Sequence, residues 1–264
     1  MNTKRLLEVT QWNLISNKRE IRRTFTGLIT AYCIIIAANN VGKWMDHSVH
    51  YYDIVDSTQF IIAGTGFAML LWASRVCFNM STKTTFINYA MLPATNLEKY
   101  VSNILYQTLC RLAVVVAAFL ITDALQAIVS QVLAGNAYSI TAYLIDWYNS
   151  YNLSDHIGAI FVSLFVHSTF VLGGTLFRHH QFLFTCLTWI VVPFILSTVV
   201  AGAGAAALYY LQQNGYDISF TPWFSDDTYE TLGGAALVGI ICFNYWLSYR
   251  LFRRSQVINN KFFN

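Results

Sequence analysis

The chain has 264 residues, of which 56% are hydrophobic, 16% aromatic and only 11% charged. Soluble globular domains carry far more charge, so this composition excludes that class and predicts an all-α integral membrane protein. The formal net charge of +3 gives no indication of a nucleic-acid partner, and we expect none. No internal repeat or low-complexity linker divides the sequence, so we treat 1–264 as a single domain.

Six apolar segments are long enough to cross a hydrocarbon core about 30 Å thick, which takes roughly 20 helical residues. They lack the strict two-residue alternation of barrel strands, so helices are expected. The predicted bundle covers 25–252, after an amphipathic segment at 1–24 and before a cytoplasmic tail at 253–264. The six predicted spans are 25–43, 57–78, 103–133, 154–176, 181–208 and 231–252.

The segment 1–24 has an apolar stripe and a basic face, the pattern of a helix that lies along a membrane surface. The basic face would contact anionic lipid or a partner protein, and simple anchoring is the alternative. A charged leader of this length without a clear cleavage pattern is untypical of a signal peptide, so we expect the first span to be retained. The apolar positions are Leu6, Leu7, Val9, Trp12, Leu14, Ile15 and Ile21, and the basic ones Lys4, Arg5, Lys18, Arg19 and Arg22.

Basic residues alternate across the predicted spans. All of them except Lys43 and Arg111 fall at the two ends or in the second and fourth connections, whereas the other connections hold Lys43 and most of the acids. The positive-inside rule then places both termini in the cytoplasm. We therefore expect a multi-pass protein of the cell (cytoplasmic or inner) membrane.

The second connection, 74–100, contains helix signals of its own, and we call it the elbow. Pro93 disfavours helical geometry at Leu92, so a short helix through 84–90 should end there. Thr95 and Glu98 have the spacing of a capping box, which predicts a new helix from Asn96. If that helix continues to Leu133 it measures about 57 Å, nearly twice the hydrocarbon thickness. The elbow is then either a lever that another protein can push or an ordinary capped turn.

Three polar residues within the predicted spans are candidates for function, because ionisable groups in lipid are costly. Arg111 and Asp123 belong to the third span, and their separation does not allow them to pair on one straight helix. Arg111 could extend its side chain inward to the membrane surface, and Asp123 could approach the outer surface. His167, in the fourth span, is more typical of a hydrogen-bonded packing residue than of a proton relay. The five cysteines lie within or beside spans and imply no disulfide, and we expect no metal site.

Together these features resemble the permease subunit of a type 2 ABC exporter, of the short stand-alone kind common in Bacteroidota. The resemblance rests on the basic amphipathic amino terminus, six spans with both ends inside, and the motif Leu-Pro-Ala-Thr-x-x-Glu-Lys-Tyr at 92–100. It implies that the elbow carries a helix that docks on a separate ATP-binding subunit, and that two permeases pair with two ATPases. The candidate coupling residues are Phe86, Tyr89, Met91, Leu92, Pro93, Thr95, Glu98 and Lys99.

The sequence contains no G-x-x-x-x-G-K-[ST] phosphate-binding loop, and no H-E-x-x-H or G-x-S-x-G motif. We therefore expect no enzymatic activity and no cofactor in this chain, with ATP bound by the partner subunit. A second copy could pack through small residues such as Gly202 and Gly204. A stand-alone channel or secondary transporter is the alternative function, and a membrane-embedded enzyme is a further one. The transported substrate is beyond the sequence.

Overall fold

The computed structural model describes residues 2–45, 51–80, 83–135, 139–177, 180–213 and 226–254. Within these ranges the chain is helical and contains no β-strand. A 3₁₀ turn at Phe78–Met80 and a π-helical segment at Tyr106–Cys110 add to the α-helices. The α-helices are α1 (Thr3–Ser16), α2 (Lys18–Met45), α3 (Tyr51–Ala73), α4 (Lys83–Ala90), α5 (Asn96–Leu105), α6 (Arg111–Ala134), α7 (Ile140–Asn149), α8 (Leu153–Leu176), α9 (Gln181–Gln213) and α10 (Asp226–Arg254).

Five helical stretches are long and apolar enough to cross a membrane: Lys18–Val41, Asn96–Leu133, Leu153–Leu176, Gln181–Leu211 and Leu232–Arg254. The all-α membrane class is therefore confirmed. The predicted second span, 57–78, differs, because α3 ends at Ala73 and its apolar part, Ser57–Ala73, is shorter than the other five. The predicted tail lies outside the described residues from 255 onward.

The amino-terminal segment divides earlier than predicted. One amphipathic helix over 1–24 was expected, but α1 ends at Ser16, and Lys18 already begins α2. The interruption is local: Asn17 leaves helical geometry, with φ of −102° and ψ of 16°, and both its backbone amide and its side-chain amide donate to the Asn13 carbonyl, at 3.2 and 2.9 Å. The basic residues from Lys18 onward therefore belong to the same helix as the first span.

The third span is a single long helical rod. Helices α5 and α6 are continuous through the π segment, and together they form the 38-residue stretch Asn96–Leu133. The predicted start at Asn96 and the predicted length are confirmed, while the π segment was not predicted. The rod ends where Gly135 adopts a left-handed conformation, with φ of 76°, as is common after a helix C-terminus.

The helices pack in pairs around two apolar clusters. Helix α2 packs along α6, and α8 packs along α10, with α3 and α9 beside α8 and α1 along α5. The first cluster joins α2, α3, α6 and α7, and the second joins the elbow to α8 and α10. The buried members are Tyr32, Ile36, Ile61, Ala118 and Ile140 in the first cluster, and Ala73, Val76, Cys77, Tyr89, Tyr100, Phe170, Val171 and Phe252 in the second.

Close helix packing uses glycines that the sequence did not single out. A Cβ at Gly174 would overlap the backbone of Ser74, and one at Gly173 would overlap the Thr185 side chain. Gly202 and Gly204, which were expected to offer packing surfaces, have open space around them within this chain. Gly173 and Gly174 therefore allow α8 to lie close to α9 and to the turn that follows α3.

Candidate functional site

The elbow contains the helix boundaries that the sequence predicts. Helix α4 ends at Ala90, and α5 begins at Asn96 behind Thr95, whose backbone is extended. The Thr95 hydroxyl oxygen accepts from the Glu98 amide at 3.3 Å, and Glu98 Oε2 accepts from the Thr95 amide at 2.9 Å. This reciprocal pair is a capping box, so the prediction is confirmed.

Glu98 also binds the other end of the chain. Its Oε1 accepts from the backbone amide of Asn2 at 2.7 Å, although 96 residues separate the two. Asn2 is itself the N-cap of α1, because its side-chain oxygen accepts from the Lys4 amide. One carboxylate therefore satisfies backbone donors at the start of two helices, where the helix dipoles also favour a negative charge. No local sequence pattern indicates this contact.

Lys99 and Tyr89 tie α4 to α5. The Lys99 ammonium donates to the Ala90 carbonyl at 3.0 Å and lies 5.7 Å from the centre of the Tyr89 ring. The Tyr89 hydroxyl donates to the Lys99 carbonyl at 2.8 Å. Burial raises the pKa of Tyr89 well above its ordinary value, so the phenol stays protonated and remains a donor. These contacts hold the two helices of the elbow as one body.

A buried amide network fixes α1 against α5. The Asn13 side-chain amide donates to Ser102 Oγ at 2.9 Å and to Asn103 Oδ1 at 3.2 Å. The Asn79 amide donates to Asn13 Oδ1 at 2.9 Å and to Asn103 Oδ1 at 3.1 Å. The Asn103 amide in turn donates to the Val76 carbonyl at 3.1 Å. Such a network orients the helices specifically, because a shifted arrangement would leave buried amides unpaired.

The predicted coupling residues fall into two sets. Tyr89, Glu98 and Lys99 are buried, and Leu92 packs against the second apolar cluster, so none of the four is displayed for docking. Met91, Pro93 and Thr95 are exposed, and the side chain of Phe86 lies outside the described residues. Two further exposed apolar residues of the elbow, Ile87 and Leu97, were missed. The spacing of four between Ile87 and Met91 could have indicated Ile87, because residues at that spacing share one helix face.

Three of the exposed side chains form what we call the elbow face: Ile87, Met91 and Leu97. Their exposed fractions are 39%, 77% and 40%. Ile87 lies on α4 and Leu97 on α5, the two helices that Lys99 and Tyr89 join, and Met91 directly follows α4, where its amide donates to the Ile87 carbonyl at 3.1 Å. Exposed apolar residues on a rigid support are a candidate contact surface for another molecule.

Arg111 binds α2 within the chain, and the expectation that its side chain extends inward to the membrane surface stays a prediction. Arg111 is fully buried, and its guanidinium donates to Glu20 Oε1 at 2.7 Å and to the Thr24 hydroxyl at 2.9 Å, both on α2. The Trp72 and Tyr106 rings lie 5.4 and 5.3 Å from its Cζ. Arg111 therefore joins the first and third spans at the residue that follows the π segment.

Asp123 is buried against the start of α7, and its expected approach to the outer membrane surface stays a prediction. Its Oδ1 accepts from the Ile140 amide at 2.7 Å, and its Oδ2 accepts from the hydroxyls of Ser139 and Thr141 at 2.7 and 2.6 Å. It also accepts from the Thr141 amide at 3.2 Å. Asp123 is thus a buried cap that α6 supplies to α7, a role that sequence spacing did not reveal.

His167 is a hydrogen-bonded packing residue, as its position in the fourth span indicated. Its ring nitrogens lie 2.9 Å from Thr108 Oγ1 and 2.8 Å from the Tyr245 hydroxyl, so it links the π segment to α10. It lines a mostly apolar pocket of about 740 Å³, together with Met69, Leu112 and other residues of α3, α5, α6, α8 and α10. The structure does not bring His167 together with Arg111 or Asp123 through any described contact.

Comparison of the chain with known proteins adds no relative. No protein-family model, curated protein sequence or solved structure matches it significantly. The functional argument therefore rests on the geometry of the elbow and its connections.

Proposed function

We propose that this chain is the permease subunit of an ATP-driven ABC exporter, coupled through the elbow to a separate ATP-binding subunit. The observation that carries the proposal is the elbow face, formed by Ile87, Met91 and Leu97 on a support whose other side is buried. A turn that only connects two spans does not need exposed apolar side chains. A turn that docks on a partner does, because burying them there is favourable.

Force applied to the elbow face would have two direct paths into the protein. The first is the rod from Asn96 to Leu133, which begins within the elbow. The second is α1, which Glu98 holds by its first residues and the amide network holds along its length. Because both attachments are hydrogen-bonded, a displacement of the elbow would move the rod and α1 together.

A third connection would carry movement to the first span. Arg111 is the first residue of the rod after the π segment and is bonded to Glu20 and Thr24 of α2. Separating the two helices would leave the buried Arg111 charge without its carboxylate, and an unpaired buried charge is costly. The rod and α2 would therefore shift as a unit, so we expect a movement of the elbow to displace both the third and the first span.

The remaining topology follows the charge pattern. We propose that α3 also crosses the membrane, as the second of six spans. We propose further that both termini and the elbow are cytoplasmic, and that the protein belongs to the cell membrane. A second permease copy is proposed to cover α9, of which only 6% of the apolar window is buried within this chain. The chain itself would not hydrolyse ATP, and it would bind membrane lipid along α1.

The test is a photo-crosslink at the elbow face. A benzophenone amino acid at position 91 should capture a chain that contains a phosphate-binding loop, identified by mass spectrometry, and Met91→Asp should release that chain during purification in mild detergent. The matched control is Leu153→Asp, because Leu153 has a similar exposed fraction, 74% against 77%, but begins α8. Capture of no ATP-binding chain, together with transport by the purified chain alone, would refute the proposal.

A further inference from the structure

A second surface site lies where α7 turns into α8, away from the elbow. It is a pocket of about 450 Å³, which we call the aromatic pocket. None of the coupling contacts described above involves it. Its lining residues are Trp147, Tyr148, Tyr151, Asp155, His156, Ala159, Ile160 and Ser163.

The rings of the aromatic pocket are held in fixed relation to one another. Tyr148 stacks on His156 with ring centres 4.0 Å apart, and Trp147 meets Tyr151 edge to face at 5.0 Å. Tyr151 and His156 are 6.3 Å apart, so the two pairs form a continuous group. The exposed fractions of the Trp147, Tyr148 and Tyr151 side chains lie between 46% and 57%, which leaves ring surface available to a ligand.

The rest of the fold keeps this arrangement rigid. Asp123 caps the start of α7 with four hydrogen bonds from three residues, and the Ser150 hydroxyl bonds the Trp147 carbonyl at 2.6 Å in the turn that follows. The Asp155 carboxylate accepts from the Asn152 amide at 3.2 Å, which fixes the start of α8. A rigid site loses little conformational entropy when it binds.

Charge selects the ligand. No lysine or arginine occurs between Arg111 and Arg178, whereas Asp123, Asp146 and Asp155 lie in that stretch. The carboxylate of Asp155 lines the pocket, and the C-terminal end of α7, where the helix dipole is negative, adjoins it. Aromatic faces beside a carboxylate attract organic cations, and quaternary ammonium groups are recognised by such rings.

The pocket also has an apolar side. Ala159 and Ile160 follow Asp155 by about one turn along α8, toward the middle of that apolar span. A cationic head among the rings would therefore place an attached chain against α8. We propose that the aromatic pocket binds an organic cation joined to an apolar chain, such as a quaternary ammonium amphiphile or the head group of a choline lipid. This inference does not depend on the transport proposal.

The experiment compares two probes of the same shape. Dodecyltrimethylammonium and its neutral isostere, in which a carbon replaces the nitrogen, are titrated into the purified protein in dodecyl maltoside at about pH 8, where an ordinary histidine is neutral. Each carries bromine on the chain to quench tryptophan fluorescence, and the Trp147→Phe variant identifies the signal from the pocket. We expect the cation to bind about tenfold more tightly than the isostere.

Matched variants assign that preference to the pocket. Asp155→Asn keeps the acceptor for Asn152 but removes the charge, and should abolish most of the preference for the cation. Asp146→Asn removes a neighbouring charge that does not line the pocket and should leave the preference unchanged. Tyr148→Leu keeps apolar surface but removes a ring, and should weaken cation binding several-fold.

Two outcomes would overturn the inference. Equal affinity for the two probes, or an Asp155→Asn variant with the full preference, would mean that the aromatic residues only mark a membrane interface. A thermal unfolding midpoint measured for each variant separates loss of binding from loss of folding, and Tyr148→Leu provides the test if Asp155→Asn does not fold. Nanodiscs distinguish the source of the ligand: competition by phosphatidylcholine but not by phosphatidylglycerol would identify a lipid head group.

Discussion

Removing Glu20 should destabilise the protein more than removing Arg111, although the two side chains form one ion pair. The Arg111 side chain is fully buried, whereas 30% of the Glu20 side chain is exposed. A buried charge that loses its counter-ion still bears its desolvation cost, whereas an exposed carboxylate returns to water. The asymmetry of burial therefore predicts an asymmetry of stability.

The structure sets the magnitudes. In Glu20→Ala, Arg111 keeps a threonine hydroxyl and two aromatic rings but has no carboxylate, so the loss should be at the low end of the range for broken buried pairs, about 3 kcal/mol. In Arg111→Met, Glu20 still lies 4.0 Å from the Arg75 guanidinium and in contact with water, and methionine fills much of the vacated volume. That variant should lose only about 1 kcal/mol.

Thermal unfolding in dodecyl maltoside measures the difference, at roughly 2–4 °C per kcal/mol for a chain of this size. The double variant should be about as stable as Arg111→Met alone, because it contains no unpaired buried charge. Glu8→Ala, which removes an exposed acid of α1, is the control and should change little. The reasoning fails if Glu20→Ala costs no more than Arg111→Met, or if the double variant loses the sum of the two single effects.

Three other predictions concern the elbow and its surroundings. Glu98→Ala should release the start of α1, so hydrogen exchange at the amides near Asn2 should rise before any global unfolding; unchanged exchange would contradict the shared cap. Gly174→Ala should cost about 1–3 kcal/mol because its methyl group meets the backbone after α3, whereas Gly202→Ala, measured by the same thermal assay, should be neutral. Burial raises the pKa of Cys77 from 9.0 to about 12, so a maleimide at about pH 8.5 should not react with this thiol. The stability gained from burying the neutral thiol should be lost as pH rises from 9.0 toward 12. Rapid labelling of Cys77 in the native protein would refute this prediction.

Local rules predicted the features that depend on a few adjacent residues. Pro93, Thr95 and Glu98 determine where α4 ends and α5 begins, because proline geometry and the capping box act within one turn. Apolar length likewise identified five of the spans. The second span was predicted too long because residues 74–78 are partly apolar. In the structure these residues form turns, and Ser74 lies against Gly174 of α8.

Contacts between distant residues could not be predicted in this way. The Asn2–Glu98 bond and the Arg111–Glu20 pair join residues 96 and 91 positions apart, and nothing in their local sequence identifies the partner. Asp123 was recognised as costly in lipid, but the groups that donate to it lie at the start of α7, a short helix that was not predicted between the third and fourth spans. The helix boundaries of the elbow were therefore predictable, whereas the long-range contacts that attach it to α1 were not.

The bond between Asn2 and Glu98 also constrains the order in which the protein can assemble. A chain made from its amino terminus produces α1 before α5, and the carboxylate that binds the Asn2 amide is synthesised 96 residues later, after α2 and α3. Until then the backbone amide of Asn2 has only water or lipid head groups as partners. Docking of α1 is therefore a late step of biogenesis, and it can take place only once the start of the third span has emerged from the ribosome.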